Sequence, residues 1–172
     1  MGGMGLIFLY TGEGAGKTTN AIGLAVRCVG HGYRAVIIQF MKGRKDIGEY
    51  LIKDRLQPEY EIYQFGRKEF LDLKNPSEED KRRAKEGLEF AQKILREKPR
   101  LLVLDEINLA VAAGLLGEDE VLQLLNEIPE ETDVVLTGRY ASSGLINRAD
   151  VVNIIVEAKR PSKMYGREGI TY

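Results

Sequence analysis

A chain of 172 residues with 44% apolar and 30% charged side chains has the size and composition of a single globular domain, residues 1–172, with a sizeable core. Its 25 basic and 26 acidic residues nearly cancel, so the composition carries no electrostatic footprint for nucleic acid or an anionic membrane surface. The single cysteine, Cys28, excludes an internal disulfide, and no apolar run approaches the roughly 20 residues that span a bilayer. With no cationic leader before the short apolar stretch 6–10, the expected location is the cytoplasm.

The first element in chain order is a strand over residues 6–10, followed at once by a glycine-rich turn and a helix over 17–29. In that helix Ala21, Leu24, Ala25, Cys28 and Val29 fall at i, i+3, i+4, i+7 and i+8, which predicts one buried stripe, ended by Gly30 and Gly32. Cys28 is expected to pack in this stripe, and His31, the only histidine, to serve the turn. A second strand is expected over 34–40, then loop and partial helix over 42–60, then a strand over 61–65. Asn75-Pro76-Ser77, followed by Glu78, Glu79 and Asp80, predicts the start of a helix running to about residue 98, with Ala84, Leu88, Ala91 and Leu95 inward. The alternating charges of Lys81, Arg82, Arg83, Lys85 and Glu86 read as its solvated face. Further strands are expected over 101–105, 133–137 and 151–156. Several of these runs are nearly continuous in Val, Ile and Leu, the pattern of a largely parallel sheet with helices on both faces.

The chemistry is concentrated in Gly12-Glu13-Gly14-Ala15-Gly16-Lys17-Thr18-Thr19, placed between a strand and a helix as a phosphate-binding loop must be. Glycines let successive backbone N–H groups surround phosphate oxygens, the helix N-terminus adds positive potential, Lys17 supplies a cation and Thr18 a hydroxyl for Mg²⁺. The loop is a variant, because Thr11 stands where the common pattern has its first glycine. Asp105 and Glu106 end a buried strand, where a carboxylate can hold Mg²⁺ or its waters at the crevice above the sheet; which of the two touches the metal is open. Thr137, Gly138 and Arg139 end another strand at the same edge, and Arg139 reads equally as a phosphate or substrate contact and as a surface arginine. Together these define a three-layer α/β fold of the P-loop NTPase-like (RecA-like) type, mostly parallel, with about six strands.

The loop, together with Gln39-Phe40-Met41-Lys42-Gly43, residues 102–108, 134–139, 114–116, 120–125, Ala149-Asp150 and the closing Gly169-Ile170-Thr171-Tyr172, resembles the P-loop type of ATP:corrinoid adenosyltransferases over nearly the whole chain. The resemblance implies transfer of the 5′-deoxyadenosyl group of ATP to the Co(I) of a reduced corrinoid, with release of triphosphate. It implies Lys17, Thr18 and Glu106 as the catalytic set, residues 12–19 and Arg139 around the nucleotide, and Thr18, Asp105 and Glu106 around Mg²⁺. It also implies aromatic residues that displace the lower ligand of cobalt, matched here by Phe70 first and Phe65 second. A homodimer and a flavoprotein-type cobalt reductase as partner are further implications. The chain departs from the pattern in having no tryptophan, in Ala15 where relatives often carry lysine, and in Ala141-Ser142-Ser143 in place of Ala-Pro. It also begins almost at its first strand, which implies a site closed without the N-terminal segment some relatives lay over ATP. The loop and acidic strand alone also suit a small P-loop kinase or NTPase, or a nucleotide-responsive corrinoid-binding module without catalysis.

Overall fold

The apolar runs form β1 (Ile7–Thr11), β2 (Ala35–Phe40), β3 (Tyr60–Phe65), β4 (Leu101–Asp105), β5 (Asp133–Thr137) and β6 (Val151–Ile154) in a computed structural model that describes residues 5–68 and 72–171. Every pairing is parallel and the strand order is β3-β2-β4-β5-β1-β6. All six residues of β2 are buried, because helices cover both faces of the sheet. The side-chain period of two survives inside these runs and sorts them into two cores. Val36, Ile38 and Phe40 enter one cluster with Leu102, Leu104, Val134 and Leu136, while Ala35 and Ile37 enter the other with Val103 and Val135.

Helix α1 (Lys17–Gly30) presents Ala21 and Ala25 to the second cluster, where Leu24, Cys28 and Val29 also pack. His31 follows as its C-terminal cap and Gly32 takes φ 75°, so the turn is built as expected. Residues 42–59 resolve into a loop and two single turns, α2 (Gly48–Leu51) and α3 (Lys53–Leu56), and Tyr60, expected in that segment, opens β3 instead.

Helix α4 (Glu78–Arg96) buries Ala84, Leu88, Ala91 and Leu95 against the first cluster. Its start is a capping box: Ser77 Oγ accepts from the Asp80 N–H at 3.2 Å and the Asp80 carboxylate accepts from the Ser77 N–H at 3.0 Å. Asp80 does more than favour the helix dipole, since it is buried and also takes both arms of Arg67 at 2.8 Å. On the outer face Lys81, Arg82 and Arg83 pair with Glu78, Glu79 and Glu86.

Three short helices complete the first face: α5 (Ile107–Ala112), α6 (Glu118–Asn126) and α7 (Ser143–Arg148). In α6, Val121, Leu124 and Leu125 are buried, and the Gly117 N–H donates to Glu120 Oε2 at 2.9 Å to close its first turn. Beyond β6 the chain crosses the glycine-rich loop. The Ile155 N–H donates to Thr11 O at 2.8 Å, and Ile155 O accepts from the Gly14 N–H at 2.9 Å. No described helix is long and apolar enough to cross a membrane.

Candidate functional site

Because every strand runs the same way, the segments that follow β1, β2, β4 and β5 meet at one edge of the sheet. The glycine-rich loop leaves β1 and enters α1 through Gly16, whose φ of 108° only glycine adopts without strain. Gly12, at φ 101°, has a second constraint: a Cβ there would overlap the Ile155 carbonyl. Lys17 is buried and folds into its own loop, its Nζ donating to Gly12 O at 2.7 Å and Gly14 O at 2.6 Å. Burial, and then the Arg139 guanidinium, pull its ammonium below the ordinary lysine value.

Asp105 is the hub. Its fully buried carboxylate accepts four side-chain hydrogen bonds: Thr18 Oγ1 at 2.8 Å and Thr137 Oγ1 at 2.7 Å on Oδ1, Gln39 Nε2 at 3.0 Å and Lys42 Nζ at 2.6 Å on Oδ2. Burial alone would push this carboxyl up, but the Lys42 charge, with the hydrogen bonds from Lys42, Thr137 and Thr18, outweighs it and holds the group below the usual range. Lys42 Nζ also donates to Thr18 Oγ1 at 3.2 Å. Burial opposes its charge, yet Asp105 and Glu106 keep its ammonium above the ordinary value.

Glu106 behaves oppositely. It stands in the left-handed region at φ 64°, its N–H donates to Thr137 Oγ1 at 2.9 Å, and its buried Oε2 receives no hydrogen bond. Burial first, and then the neighbouring Asp105 charge, lift this carboxyl above the usual range. Two adjacent acids thus carry different environments: one saturated with donors, the other with a free oxygen. Buried Asn108 braces the edge from below, its Nδ2 donating to Tyr10 O at 3.3 Å and Gly138 O at 3.2 Å, so the ends of β1 and β5 are tied together. Arg139 lies over the loop, half exposed, with Nε 3.4 Å from Glu13 Oε2.

The expected residues are therefore largely brought together: residues 12–19, Asp105, Glu106 and Arg139 share one mouth. Phe65 is not part of that cluster. At the end of the edge strand β3 it packs against the first core, its ring centroid 5.5 Å from that of Phe90. Phe70 lies outside the described residues. Gln39, Lys42 and Thr137 acquire their roles only here, although Gln39 and Thr137 sit at the carboxyl ends of predicted strands, Lys42 follows one of them by two residues, and Thr137 is legible there as a hydroxyl aimed at the edge. Among the described residues no cluster of three His, Cys, Asp or Glu side chains forms a conventional metal centre.

A phosphate-binding loop joined to a buried acid across an intervening strand defines the class of P-loop nucleotide-binding α/β proteins. Residues 3–172 match the model of the family described as ATP:corrinoid adenosyltransferase BtuR/CobO/CobP. The corrinoid adenosyltransferase of Escherichia coli K12 is 35% identical over 150 residues, covering 87% of this chain and 75% of that protein. The Pseudomonas aeruginosa protein of the same name is 33% identical over 149 residues, 86% of this chain and 73% of that one. That of a Sinorhizobium species is 33% identical over 173 residues, 98% of this chain and 80% of its own. The chain belongs to the ATP:corrinoid adenosyltransferase family.

Proposed function

We propose that this protein, acting as one domain over residues 1–172, transfers the 5′-deoxyadenosyl group of ATP to the Co(I) of a reduced corrinoid. The bond between C5′ and the triphosphate oxygen breaks, a Co–C5′ bond forms from the cobalt electron pair, and the triphosphate leaves with the electrons of the broken bond. The observation that carries this reading, beside family membership, is that the site gathers Lys17, Lys42, Arg139 and loop amides while the only histidine stands at the far end of α1. Such a site clamps a polyanion and orients it, which suffices when the co-substrate is itself the nucleophile.

Thr18, Asp105 and Glu106 offer only oxygen donors, and Glu106 Oε2 is buried without a hydrogen-bond partner, so these residues fit a hard divalent cation and would hold Mg²⁺. Bound there, Mg²⁺ would neutralise charge on the departing triphosphate. Lys17 and the amides of residues 12–19, other than that of Gly14, which donates to Ile155 O, hold the phosphates, and Arg139 covers them from the β5 side. Phe65 and Phe70 are the proposed corrinoid-facing aromatics. A homodimer and a flavoprotein-type reductase that supplies Co(I), both resting on the family resemblance, and a cytoplasmic location complete the reading.

The test is to mix the protein with ATP, Mg²⁺ and chemically reduced cobalamin, following the visible spectrum and separating the nucleotide products. Adenosylcobalamin and stoichiometric triphosphate are expected. ADP with phosphate would establish a kinase or hydrolase instead, and binding without turnover a carrier module.

Glu106→Gln removes a buried charge that lacks a donor while keeping its shape. Because the folded environment disfavours the ionised form, the substitution is expected to stabilise the nucleotide-free protein at neutral pH by about 1 kcal/mol. It should also weaken metal-dependent ATP binding. Thermal melts with and without Mg²⁺ and ATP check both directions, and an unchanged or lowered melting temperature in the nucleotide-free protein contradicts the first.

A further inference from the structure

Lys42 is not a loose surface lysine. Met41 before it takes φ 60°, a left-handed conformation that a non-glycine residue holds only when its surroundings require it. Those surroundings are two interlocked loops: a Cβ on Gly66 would overlap the Met41 backbone, and a Cβ on Gly43 would crowd the Arg67 backbone. Arg67 is itself anchored to buried Asp80. The chain is therefore bent and wedged so that the Lys42 ammonium lands 2.6 Å from Asp105 Oδ2 and 3.2 Å from Thr18 Oγ1.

These are oxygens that a divalent cation would need. Thr18 Oγ1 gives its hydrogen to Asp105 Oδ1, so its lone pairs are what remains for a cation, and Lys42 donates to them. Asp105 Oδ2 is shared by Lys42 and Gln39. A second cation at the same oxygens would face the full repulsion of the ammonium in a site of low dielectric. We propose that Lys42 is a positioning residue that occupies the Thr18 and Asp105 oxygens as a resident counter-cation and yields them to the metal only when a polyphosphate arrives to receive its ammonium. Metal and nucleotide then load together, and free divalent cations do not saturate the site ahead of the nucleotide. This rests on the assignment of Thr18 and Asp105 as metal ligands.

The test uses full-length, nucleotide-free protein and Mn²⁺ as the probe, read by electron paramagnetic resonance and by melting temperature. Lys42→Met is expected to bind Mn²⁺ about tenfold more tightly than the wild type, or better, because the competing charge is gone. Its melting temperature should fall in chelator and recover with Mn²⁺, while the wild type responds to neither. Lys42→Arg, which keeps the charge, should bind Mn²⁺ as weakly as the wild type. Equal Mn²⁺ affinity in wild type and Lys42→Met overturns the proposal. If Lys42→Met does not fold, the wild type alone decides: tight, stoichiometric Mn²⁺ binding that Thr18→Val abolishes overturns it, and Mn²⁺ binding that stays weak until inorganic triphosphate is added supports it. Neither ATP nor corrinoid enters these measurements, so their failure leaves the adenosyl-transfer reading standing, and loss of that reading leaves them interpretable.

Discussion

Lys17→Ala is expected to lower kcat/KM for adenosyl transfer by about 10²–10³-fold, the range typical of removing one preorganised group that stabilises charge developing in the transition state. The physical case starts from the resting position of the side chain. Its ammonium is buried and bonded to Gly12 O and Gly14 O, so it is held at the centre of the loop. Burial and Arg139 both disfavour its charge, which leaves an ammonium that gains when an anion arrives. A triphosphate leaving group accumulates charge as the C5′ bond lengthens, so the interaction grows toward the transition state and acts on the rate rather than on binding alone. Initial rates of adenosylcobalamin formation, with circular dichroism to confirm an intact fold, test this. Turnover within a few-fold of the wild type would contradict the clamp.

Asp105→Ala is expected to cost about 3–5 kcal/mol of folding stability, the cost of leaving a buried charge without its partner. Removing the carboxylate strands Lys42 Nζ and deprives Thr18, Thr137 and Gln39 of a shared acceptor. Urea denaturation reads the loss directly. The double variant Asp105→Ala with Lys42→Met should recover part of it, since the orphaned charge is gone, and strict additivity would show that the pair is not coupled. The same carboxyl gives a pH dependence. Its folded environment holds it below the ordinary value, so its contribution is complete above the unfolded carboxyl's pKa of about 4 and is lost as the pH falls toward the folded value. The Asp105→Ala variant should therefore lose less stability than the wild type on acidification below about pH 4.

The strands were the most legible part of the molecule. Short apolar runs identified all six to within a residue or two; in β2, β4 and β5 the nearly continuous Val, Ile and Leu reflect cover on both faces, whereas edge strand β3 alternates and edge strand β6 is exposed. Helices α1 and α4 were legible from their stripes and end signals. Helices α5, α6 and α7 span only six to nine residues, too few turns for periodicity to separate them from loop. In the site, Lys17, Thr18 and Asp105 were readable because loop and acidic strand are local patterns. Lys42 and Gln39 were not, since their partner Asp105 lies 63 and 66 residues away: the register of β2 on β4 sets Gln39 opposite it, and the bend at Met41 beyond the strand carries Lys42 to it. Phe65 is legible only from its place in a motif, and its packing partner Phe90 belongs to helix α4, which no motif includes.

The crossing of the glycine-rich loop by the chain after β6 gives that loop a limited portability. Thr11, Gly14 and Ile155 share main-chain hydrogen bonds as neighbouring strands do, and Gly12 is small on the side where that crossing passes. The loop and the distant segment around Ile155 are one unit of construction. Transplanting the loop from another nucleotide-binding protein would demand a matching exchange more than 130 residues downstream, and changes near Ile155 would be felt first at the phosphates.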